Sequence, residues 1–187
     1  MKNALAISAV IFTIGFVTIP VVWSDDDHYW RGMDEYRHRS TGVDTVSSNA
    51  YREECGSCHM AYSPGLLPSS SWLKLMSGLD DHFGDNAELD AETEKSITGL
   101  LIAYSADRSD YRRARKFNRS IQHNDAPVRI SQTPYFMHEH DEIPDRMVTG
   151  NPEVKSFSHC NACHIRAEQG SFNEHDIRIP GYGQWDD

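Results

Sequence analysis

Three stretches of the chain place apolar residues with the period of an α-helix, and a fourth is apolar throughout. Over 68–86, Trp72, Leu75, Met76 and Leu79 recur at i, i+3, i+4 and i+7, with Ser69 or Ser70 as cap; carried on as one helix, the same stripe reaches His82 and Phe83. Over 89–107, Asp90 stands as cap and Ile97, Leu100, Leu101 and Tyr104 form the stripe. Over 129–145, Thr133 is placed as cap, Pro134 as first helical residue and Pro144 as stop; Phe136, Met137 and His140 share a face from which His138 is absent. No apolar/polar alternation is long enough for a sheet, so the expected fold class is mainly α.

The fourth stretch runs from Ala4 to Val22, behind Lys2 and ahead of Ser24 and three aspartates. This is the pattern of a secretory leader over residues 1–24, with an uncleaved membrane anchor as the competing reading, since about 20 apolar residues span a bilayer. Either way the bulk of the chain is expected outside the cytoplasm, in a bacterial periplasm. The net charge of −10 becomes −11 when Lys2 leaves with the leader. A chain this acidic is a poor candidate for nucleic acid. One local exception is 108–119, where Arg108, Arg112, Arg113, Arg115, Lys116 and Arg119 face only Asp110. Such runs are mostly solvated faces; the other uses are docking an acidic partner or holding the carboxylates of a cofactor.

All four cysteines fall in two copies of one pattern, Cys-x-x-Cys-His: Cys55, Cys58, His59 and Cys160, Cys163, His164. In an exported chain four cysteines would ordinarily mean two disulfides, which leaves the histidines unexplained. Zinc also uses Cys-x-x-Cys pairs, but one metal leaves a His spare. A dithiol redox motif needs one pair beside a βαβ unit and no trailing His. Covalent attachment of c-type haem uses every residue. Positions i and i+3 lie on one face of a helical turn, so both thiols reach one porphyrin, and the next imidazole falls beneath the iron. Two haem c groups would also bring apolar surface to a chain whose own core is modest.

Each iron has a second axial position, for which eight further histidines and six methionines compete. His82 lies on the apolar stripe 23 residues after His59 and is the expected ligand at the first haem, with Met76 as alternate. His140 lies 24 residues before His164 and is expected at the second, with Met137 and His138 as alternates. His123, His159 and His175 are expected not to bind iron; His28 and His38 sit in the polar segment 25–45. The first unit, 46–119, reads as a small helical domain of class I cytochrome c type. The second, 120–187, has room for little but loops around its haem, and the boundary falls after the basic run, near the turn "HNDAP".

The stretches "ECGSCHMAYSPGLLPSSSWLKLMSGLDDHFGDNAELD", "RISQTPYFMHEHDEIP" and "VKSFSHCNACHIRAEQGSFNEHDIRIP" together resemble the bacterial dihaem cytochrome c family over roughly residues 51–180. The family pattern has Pro where Ser63 stands, a change expected to loosen a turn and leave the chemistry untouched. The resemblance implies a two-domain, mostly helical, periplasmic electron carrier with two low-potential haems, each held by two histidines. It implies as partner a small oxygen-binding monohaem cytochrome, with a membrane cytochrome b as a further member of the chain. On this sequence the matching positions are the two Cys-x-x-Cys-His motifs, His82 in "DHFGDN" and His140 in "HEHDEIP". A dihaem peroxidase or a reductase of a small nitrogen oxide, with one haem open to ligands, is the enzymatic alternative. A haem-bearing sensor would require an output segment, and none is visible.

Overall fold

The computed structural model describes residues 42–185, so the expected leader, residues 25–41 of the polar segment, His28 and His38 lie outside the described residues. The described part is mainly helical. No helix within it is long and apolar enough to cross a membrane.

Helix α1 (Asn49–Cys55) is capped by Ser48, whose side chain accepts from the Tyr51 amide. It stops at Gly56, where any side chain would drive its Cβ to 2.2 Å from the Arg52 carbonyl oxygen. Helix α2 (Ser69–Met76) begins differently from the sequence expectation: Pro68 occupies the cap position, and Ser69 is held from outside the helix. The Asp107 carboxylate accepts from the Ser69 amide at 2.7 Å and from its hydroxyl at 2.8 Å. Helix α3 (Ala91–Ala103) begins at its predicted cap and ends before Tyr104, with Asp90 accepting from the amides of Glu92 and Thr93. Ile97 and Leu101 are fully buried on its inner face, whereas Tyr104, expected there, is 45% exposed beyond the helix end. α2 and α3 pack together over Tyr51, Leu67, Trp72, Met76, Ile97 and Leu101, and the Trp72 indole donates to the Pro64 carbonyl inside this cluster.

The expectation of one helix from Ser69 to Phe83 fails at Met76. Ser77 and Gly78 are weak helix formers, the chain there tightens into a single 3-10 turn over Leu79–Asp81, and His82 is not helical. The apolar stripe holds as far as Leu79, which still packs on the α2/α3 cluster.

Helix α4 (Arg112–Ser120) buries Ala114 and Phe117 and leaves Arg112, Arg115, Lys116 and Arg119 exposed. Arg113 turns inward with its side chain 15% exposed, donating to the Tyr135 hydroxyl and the Phe172 carbonyl at 3.1 Å each and pairing with Glu139 at 3.5 Å. Helix α5 (Pro134–Glu139) is capped by Thr133 as read from sequence. Beyond it come short turns, a four-residue helix α6 (Cys160–Cys163), and a minimal antiparallel pair, β1 (Arg178–Ile179) with β2 (Gly183–Gln184). The pair is too short to change the fold class.

Two further apolar clusters hold this part together. One gathers Val43, Met60, Leu66, Ala106, Ala114, Phe117, Tyr135, Phe136, Ala167 and Phe172, from both sides of residue 120. The other gathers Met147, Val148, Val154, Ile177 and Ile179. Ser63 is buried, and its hydroxyl donates to the Asp44 carbonyl. The departure from Pro is therefore an anchored position and not a loosened turn, because Pro offers no such donor.

Candidate haem sites

Cys55 closes α1, and Cys58 and His59 follow on the turn after Gly56. The Cys55 thiol is pushed up to about 11, chiefly by burial and further by the Glu54 carboxylate. The His59 Nδ1 lies 2.8 Å from the Met60 carbonyl oxygen, an acceptor that fixes the proton on Nδ1 and leaves the Nε2 lone pair for a metal. The Tyr62 ring stacks on the same imidazole at 4.6 Å.

His82 comes from a two-residue turn. Phe83 (φ +59°) and Gly84 (φ +104°) both take positive φ, as a type I′ turn requires, and the His82 amide donates to the Asp85 carbonyl at 2.7 Å. This turn, and not a helix face, aims the imidazole across the cavity. The Phe83 ring lies against His82 at 4.7 Å and carries the Arg129 guanidinium 3.9 Å from its centre. Burial, His59 and Arg129 hold the His82 imidazole below its ordinary proton affinity, against the opposing pull of Asp85. The cavity these residues line measures about 440 Å³ and is walled by Leu67, Trp72, Met76, Leu79 and Leu101. Met76, the alternate ligand, is 5% exposed and packed among apolar neighbours.

The second motif is the whole of α6 with His164 as its end, so Cys160 and Cys163 share one turn. Burial pushes the Cys160 thiol up to about 11 and raises that of Cys163. His140 ends α5, where its Nδ1 meets the Phe136 carbonyl at 2.9 Å and its ring stacks on Phe136 at 3.9 Å, within 10° of parallel. Phe157 closes on the same ring edge-on at 5.7 Å. His164 is largely buried against Phe172, and burial first, then His140 and Arg113, lower its pKa to about 4. Its Nδ1 is buried with no hydrogen-bond partner among the described residues. The cavity here measures about 330 Å³.

In each cavity one imidazole pair faces across a gap. The ring centres of His59 and His82 are 6.3 Å apart, and those of His140 and His164 are 6.0 Å apart. Stacked rings in contact sit closer, as Phe136 and His140 do at 3.9 Å, while edge-to-face contacts reach 5.7 Å. Two metal–imidazole bonds near 2 Å, plus about 1.2 Å from each nitrogen to its ring centre, add up to about 6 Å. A gap of this length would accommodate one metal ion between the two rings of each pair. Of the other described histidines, His138 and His159 also line the second cavity, but His138 is exposed beside Asp141 and His159 is held by the Val154 carbonyl at 2.6 Å; His123 and His175 are exposed. Met137 is 51% exposed. Among the described residues no three His, Cys, Asp or Glu side chains converge on a common point.

A family model for dihaem cytochrome c matches residues 51–172. The chain belongs to the dihaem cytochrome c family. Among solved structures, it is similar to a dihaem cytochrome c from Shewanella baltica OS155, with 41% identity over 74% of this chain and 97% of that one, at a TM-score of 0.62. A dihaem cytochrome c from Rhodobacter sphaeroides is 40% identical over 68% of this chain and 98% of its own, with a TM-score of 0.61. No match was found among curated proteins. Membership means two covalently bound haem c groups, and the pairs Cys55/Cys58 and Cys160/Cys163 fit their attachment motifs.

Sequence reading missed residues that support the ligand candidates: Tyr62 on His59, Phe157 on His140, and Arg129 on the Phe83 ring beside His82. Phe83 and Phe136 carried a signal, one next to His82 on the stripe and the other four residues before His140.

Proposed function

We propose that this family member is a periplasmic electron carrier with no substrate of its own. In this reading His59 and His82 ligate the first iron and His164 and His140 the second; residues 46–119 house the first haem and 120–187 the second. The observation that supports the reading is the pair of imidazole gaps, each wide enough for one metal ion and each beside its own Cys pair. Bound haem supplies one-electron chemistry at iron. The chain supplies the rest. With both imidazoles of a pair on it, the iron would be held through a redox change without exchange of a ligand, and two nitrogen donors would set its potential below that of a His/Met centre. Carbonyl acceptors on His59 and His140 fix each ring's orientation and add to its basicity.

The partner in this reading is another cytochrome: a small oxygen-binding monohaem cytochrome, with a membrane cytochrome b further along the chain, as the family resemblance implies. Carbon monoxide added to the reduced holoprotein tests the carrier against the enzymatic alternative. A carrier with both axial positions filled shows no rapid binding. Stoichiometric binding at one haem would point to an open catalytic iron.

A further inference from the structure

Four side chains line both cavities: Ile130, Phe136, Phe157 and Cys160. By sequence Cys160 belongs to the second attachment motif, yet it also forms part of the first cavity. Phe136 and Phe157 meet edge-to-face at 5.7 Å, and both pack on His140. One side chain at each position thus separates the two sites, and close packing of such residues keeps their spacing constant.

A second feature joins the sites at the same place. The Tyr62 ring stacks on His59, while its hydroxyl donates at 2.7 Å to the carbonyl of Ser158, two residues before Cys160. The Tyr51 hydroxyl in turn donates to the Tyr62 carbonyl at 2.6 Å. Segments 96 residues apart are thereby tied across the wall.

We propose that the wall of Ile130, Phe136, Phe157 and Cys160 is the electron-transfer contact between the two haem groups, and that Tyr62 is a positioning residue that sets its width. In each event one electron leaves the ferrous centre in one cavity and reduces the ferric centre in the other; no bond forms or breaks and no proton moves. The proposal rests on both cavities holding haem in the carrier reading above.

Exchange NMR of the haem methyl signals in partly reduced holoprotein tests it. At the one-electron stage, exchange across the wall faster than the NMR timescale gives one averaged signal for each methyl. Separate signals for the two one-electron forms of the wild type would overturn the contact. Tyr62→Phe, which keeps the ring on His59 and removes the tie to Ser158, is expected to lose the averaging and broaden these signals. Phe157→Leu, which removes the ring packed on Phe136 and His140 and so loosens the wall, is expected to do the same. Averaging unchanged in both variants, with two haems still bound, would place the contact elsewhere and overturn the proposal. Failure of the carrier reading is visible separately, as the large methyl shifts of a high-spin centre in the fully oxidised sample.

Discussion

Arg129 is exposed, yet its guanidinium sits on the Phe83 ring beside His82 and contributes to the low proton affinity of that imidazole. A positive charge at that place disfavours the oxidised, more positive iron and so raises the first site's potential. Arg129→Gln is expected to lower one of the two potentials by a few tens of mV, a partly screened effect of a surface charge, and to leave the other unchanged. Spectroelectrochemical titration checks it. At His164 the controlling term is burial. Its folded pKa of about 4 lies below the ordinary 6.5, so the unfolded chain takes up a proton in this interval that the folded chain refuses. That contribution to stability is fully present above pH 6.5 and is lost as pH falls from 6.5 towards 4, by about 3 kcal/mol at most. Iron on the same imidazole acts in the same direction. Denaturant unfolding of the haem-free chain at pH 7 and pH 4.5 is expected to show the fall, and a His164→Gln variant is expected to lose it.

At the scale of elements, α3 and α5 form where their caps stand in the sequence, because Asp90 and Thr133 bond amides two or three residues away. α2 was misread for the opposite reason: its first turn depends on Asp107, 38 residues on, and its last on Ser77 and Gly78. Asp107→Ala is expected to weaken α2 by about 1 kcal/mol, the ordinary worth of a helix cap, with a lower unfolding midpoint and an unaltered haem spectrum. His82 shows how a right residue can follow from a wrong element. The stripe directed it inward, but a turn with two positive-φ residues presents it. The attachment motifs were legible in full because their spacing is local. Tyr62, Phe157 and Arg129 were not, since each meets its site through folding and has no fixed offset from a ligand.

At the scale of the molecule, the described residues pack as three apolar clusters around two cavities, with His164 Nδ1 buried and without a hydrogen-bond partner among them. Small chains need such added stabilisation, and two tethered macrocycles supply it. The central claim is that each iron lies between two imidazoles, His59 with His82 and His164 with His140. The most direct measurement is the optical and EPR spectrum of oxidised His82→Ala, His140→Ala and the double variant. The account predicts one low-spin haem converted to high-spin in each single variant and both in the double. A single variant that keeps both haems low-spin, or one that converts both, would contradict it.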